Sequence, residues 1–76
     1  MQPVSQEVPI PSGGTIRGEV DPEDPSQVHI TIFGYPTEDQ LDRARAQLLR
    51  GLRSALEIEG VALDLGQIHI IVNTKR

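Results

Sequence analysis

The chain has no cysteine and no tryptophan, and only one tyrosine and one phenylalanine. Without thiols no disulfide can staple the fold, and neither a thiolate zinc site nor a cysteine nucleophile can form. A cysteine-free chain fits a reducing compartment, so a cytoplasmic setting is expected. With so few rings, the core must be built from Leu, Ile, Val and Ala. No apolar run approaches the roughly 18 residues that a membrane span needs. The opening MQPVSQEVPIPSGG has neither the basic start nor the apolar stretch of a signal peptide. An excess of base is also missing. The net charge is −4, whereas a nucleic-acid-binding domain is expected to be basic. Neither nucleic acid nor membrane is therefore expected as a partner.

Length sets a further bound. At 76 residues the chain is one domain at most. A domain of this size buries only about 60% of the surface its unfolded chain exposes. Its small aliphatic core makes oligomerisation an expected source of stability. The charge is unevenly spread. Residues 1–42 carry eight acids and one base, and residues 43–76 carry six bases and three acids. That asymmetry suits head-to-tail contacts between copies or a charged partner, although helix charges that follow the dipole also account for it.

What is present is a long helical signal framed by two near-copies. QVHITIF (Gln27 to Phe33) and QIHIIVN (Gln67 to Asn73) both read Gln, β-branched, His, Ile, then further β-formers. Between them, Thr37 to Glu59 has helical periodicity. Thr37 with Gln40 forms a capping-box pattern, and Glu38, Asp39 and Asp42 suit the positive end of the dipole. Leu41, Ala44, Leu48, Gly51, Leu52 and Ala55 fall on one stripe. Leu49 and Leu56 lie on its flank, and reach either the sheet margin or another subunit. Asp39–Arg43 and Arg53–Glu57 are spaced for i,i+4 pairs. Gly60 is placed to end the helix.

Ahead of this unit, Thr15 to Val20 alternates as a half-buried strand. Asp21 to Ser26, with two prolines, reads as a loop of about six residues. Residues 1–14 hold three of the six prolines, which forbid helix and remove ladder donors. They read as a flexible arm, with Val4, Val8 and Ile10 able to dock on a neighbour. The expectation is an α+β fold, a small ββαβ open-faced sandwich. A three-stranded mixed sheet carries one long helix on one face, and residues 15–76 form the single domain. The helix is expected to cover Val28, Ile30, Ile32, Ile68, Ile70 and Val72. The opposite face would then display Thr15, Arg17, Glu19, His29, Thr31, Phe33, His69, Ile71 and Asn73.

The candidate chemistry is sparse. If the near-copies pair in matching register, His29 and His69 become neighbours, able to ligate a metal with Glu19 as third ligand or to make assembly pH-dependent. Asp21, Glu23 and Asp24 lack calcium-loop spacing. Ser12-Gly13-Gly14-Thr15 has no preceding strand or following helix to make a phosphate cradle. Arg43, Arg50 and Arg53 share a helix face that could meet an anion. No cofactor, metal or small-molecule substrate is expected.

The run from Val28 to Val72, VHITIFGYPTEDQLDRARAQLLRGLRSALEIEGVALDLGQIHIIV, resembles the β-α-β unit of small tautomerases. That resemblance implies assembly of such units in an oligomer, and in the enzymes an amino-terminal proline as base. Here the corresponding strand begins at Gln27, inside the chain, and Pro3 stands third. The residues together point to a non-enzymatic interaction or structural module, which self-associates or docks on a larger protein through the open sheet face and the arm. His29, Thr31, Phe33, His69, Ile71 and Asn73, with Leu49 and Leu56, are the candidate interface. The alternatives are an acidic inhibitor or regulator of a protein partner, and a His-based metal-binding or tautomerase-like enzyme.

Overall fold

The proline-rich segment expected to be a flexible arm is a strand of the sheet. The computed structural model describes residues 2–75, which form β1 (Val4–Pro9), β2 (Gly14–Asp21), β3 (Asp24–Gly34), α1 (Glu38–Ile58) and β4 (His69–Lys75). The fold is α+β with one helix on a mixed sheet, but the sheet has four strands in the order β1-β2-β3-β4. β1, β2 and β3 run antiparallel, and β4 lies parallel to β3. The prolines suit β1 because it is an edge strand, where a missing ladder donor is tolerated. Ile10, just after it, is 5% exposed and belongs to the core.

The first hairpin was not expected, and the second turns more tightly than expected. Ile10 to Gly13 links β1 to β2, with the Gly13 amide donating to the Ile10 carbonyl at 2.9 Å and the Ile10 amide to the Gly14 carbonyl at 3.0 Å. Gly14 pairs with Gly34 across β2 and β3, and both have positive φ, 97° and 120°. A Cβ on Gly14 would lie 1.9 Å from the Phe33 carbonyl oxygen, so only glycine fits there. At the other end the expected six-residue loop shrinks to Pro22-Glu23, because Asp21 pairs with Asp24. The Asp21 carboxylate accepts from the Glu23 amide at 2.9 Å, and Asp24 accepts from the Ser26 hydroxyl at 2.5 Å. Such local side-chain bonds hold the turn without a longer loop.

α1 starts and stops where its sequence dictates. The Gln40 amide donates to Thr37 Oγ1 at 3.2 Å, and the Thr37 amide donates to Gln40 Oε1 at 3.0 Å, completing the capping box. At the far end the Val61 amide reaches the Leu56 carbonyl at 2.9 Å and the Gly60 amide reaches the Glu57 carbonyl at 3.0 Å, a Schellman closure. Arg53 meets Glu57 at 3.3 Å.

The helix does not lie where expected. It packs over β1 and β2, not over the β3–β4 pair. The reason is a notch at one small residue. Gly18 of β2 faces Leu48 and Leu52, and a Cβ there would be 3.2 Å from Leu52 Cδ1. On the helix side, Gly51 receives the Gln6 side chain of β1, whose Oε1 would be 3.0 Å from an added Cβ. Gly18 thus lets the helix come close to β2, whereas Gly51 meets only the movable end of Gln6. The core that results is Ile10, Ile16, Val20, Val28, Ile30, Ile32, Ala44, Leu48, Leu52, Leu56 and Leu63. Leu56, offered above as an interface residue, is fully buried and cannot meet a partner. It faces inward because the helix has shifted across the sheet. Leu49 is half-buried against the same cluster.

Candidate functional site

No residue of β4 enters the buried core. Ile70 leans on it half-buried, as does Ile68 just before the strand, but every other β4 residue is exposed. Val72 points to the helix side, since it pairs with buried Ile30. Because α1 stands over β1 and β2, Val72 is left 52% exposed. Ile71 points to the opposite face and is 38% exposed. β4 therefore shows an apolar residue on each face and, beyond β3, an unpaired backbone edge. From His69 to Asn73 it has no proline and no Asp, Glu, Lys or Arg, the devices that usually blunt an edge strand.

The register places the other candidate residues. Asp64 accepts from the Gly66 amide at 3.0 Å, and its carbonyl accepts from the Gln67 amide at 3.0 Å. This turn uses up Gln67, so β4 begins at His69 rather than at Gln67. The near-copies consequently pair two residues out of phase. His69 lies beside Gln27, and His29 lies beside Ile71. The two imidazoles are not opposite one another. Glu19 is across from His29, but among the described residues no three of His, Asp and Glu gather into a group that could hold a metal.

Phe33 and Ile71 share the open face without forming one patch. Thr31 pairs with Asn73 in the row between them, and Phe33 pairs with Lys75. Arg17, opposite Thr31, reaches Glu19 at 2.8 Å through Nη2, while its Nε is shut from water without a hydrogen-bond partner. The middle of this face is therefore polar, as the solvated side of an antiparallel sheet commonly is. Phe33 instead borders a shallow hollow with Gly14, Gly34, Tyr35 and Lys75. Phe33 is 42% and Tyr35 72% exposed, so the chain's two aromatic side chains stand at one surface spot and leave the core wholly aliphatic.

Val72 was missed by the sequence reading because alternation assigns it to the covered side of β4. The signal that locates the cover is Gly18, whose missing side chain makes room for Leu48 and Leu52. It marks β2 as the place of closest approach, and so marks β4 as the strand left out. No family model, curated protein or solved structure matches this chain. Among the described residues no helix is long and apolar enough to cross a membrane.

Proposed function

We propose that this protein is a non-enzymatic interaction module that docks through the bare edge of β4, pairing it with an extended strand of a protein partner, and that it does so in the cytoplasm, as its lack of cysteine suggests. One observation carries the reading. β4 adds only half-buried Ile70 to the core, yet exposes apolar side chains on both faces and an edge that no described strand pairs. Strand addition draws affinity from main-chain bonds and specificity from alternate side chains. Covering the exposed parts of Ile71 and Val72 is worth roughly 1 kcal/mol each. Association costs on the order of 4–15 kcal/mol, so the ladder hydrogen bonds must supply the balance and the contact is a weak one.

The acidic-regulator alternative rests on the acidic amino half, residues 1–42, which includes Asp21, Glu23 and Asp24. Two of these carboxylates are engaged within their own turn, which gives it less support.

The test compares the two edges of the sheet. Val72→Lys places a charge on the β4 edge, and Glu7→Lys changes the β1 edge. Sedimentation should show that complexes of the chain dissolve in the first variant and persist in the second, with both variants folded by circular dichroism. A complex of undiminished strength in Val72→Lys would put the docking surface elsewhere.

A further inference from the structure

The β4 edge is self-complementary in a single antiparallel register. Resting on the β4-docking reading, we infer that its partner strand is β4 of a second copy, paired about a two-fold axis through Ile71. Antiparallel neighbours related by such an axis keep the same face up, so residues i and j pair only when both belong to one side of the sheet. The apolar residues of β4 are Ile70, Ile71 and Val72, flanked by His69 and Asn73. Only an axis at Ile71 maps that trio onto itself. Val72 then lies opposite Ile70 of the second copy, twice over, on the helix side. Ile71 meets its own counterpart on the open side, and His69 lies opposite Asn73 of the second copy.

Neighbouring registers match less well. An axis at Val72 gives a longer overlap, but it sets Ile70 against Thr74, Ile71 against Asn73, and His69 against Lys75. An axis at Ile70 sets Ile71 against His69. The Ile71 register is the one that aligns apolar with apolar and keeps Lys75 clear of His69. It yields a continuous eight-stranded sheet, four strands from each copy, with both helices on one face. The β1 edges, bearing Glu7 and Pro9, are left at the two outer ends.

A cysteine-free chain makes the test direct. Directly opposed residues sit roughly 4.5–5.5 Å apart at Cα, inside the roughly 4.4–6.8 Å range of disulfides. Ile71→Cys should convert to a covalent dimer under mild oxidation, and Val72→Cys, offset from its own counterpart, should stay largely monomeric. The unmodified chain should show concentration-dependent dimerisation by sedimentation, lost in Val72→Lys. Cross-linking at 72 but not at 71 overturns the Ile71 register while leaving β4 as the docking edge. A chain that stays monomeric at millimolar concentration overturns self-pairing, again without touching β4 docking of another protein. Dimerisation that survives Val72→Lys overturns both.

Discussion

The two ends of the sheet are built on opposite plans. β1 is bracketed by Pro3 and Pro9, carries Glu7, and is pinned from above by α1, with Gln6 lying against Gly51. β4 has no proline, no acid and no helix above it, and it touches the rest of the fold chiefly through β3. Burial is greatest in β2 and β3 and falls at both edges, to half-buried Val4 and Val8 in β1 and half-buried Ile70 in β4; the edges differ in that only β1 has the helix beside it. Val72 sits on the same sheet face as fully buried Ile16 yet is half exposed. The difference shows that one helix cannot cover four strands. A chain of this length must leave one strand bare, and Gly18, which brings α1 close to β2, bears on which one.

That contrast can be broken at several points. The largest effect is expected at the covered end. Leu52→Ala empties a fully buried site and should cost about 2–5 kcal/mol, whereas Val72→Ala should cost about 1 kcal/mol or less in the monomer. Urea denaturation of the two variants measures the gap, and equal losses would mean that β4 is as well packed as the rest. Next comes Gly18→Ala. Its Cβ would press Leu52 Cδ1 at 3.2 Å while meeting Leu48 Cβ in ordinary contact at 3.6 Å, and both leucines are buried in the core. A loss of about 1–3 kcal/mol is expected. The smallest effect has the opposite sign. Gly51→Ala approaches only the Gln6 side chain, which is exposed and can swing away. The helix should gain up to about 1 kcal/mol in melting experiments. A loss instead would show that Gln6 is fixed in place and that the β1 end is tighter still.

The sequence made some of this plain. Thr37, Gln40 and Gly60 announce the ends of α1 because caps are local chemistry, written within four residues. The inward sets Ile16–Gly18–Val20 and Val28–Ile30–Ile32 follow from alternation alone. The strand at Val4–Pro9 was hidden because three prolines in residues 1–14 argue against a strand unless it is known to be an edge. Being an edge is a property of the whole sheet. The offset of β4 was hidden for a similar reason. Two like sequences invite matching register, but a turn at Asp64 displaces one by two residues. His29 and His69 were linked by that assumption, whereas Phe33 and Ile71 were grouped only as apolar residues of the open face. Leu56 changed role because the helix position depends on where backbones can approach, which no periodicity reveals.

The core residues run from Ile10 to Leu63, all ahead of β4 in the chain. A consequence is one of timing. As synthesis proceeds from the amino end, every fully buried core side chain is added before β4. Under the β4-docking proposal, the edge offered to a partner is thus the last element to be made, after the sequence of the buried interior is complete.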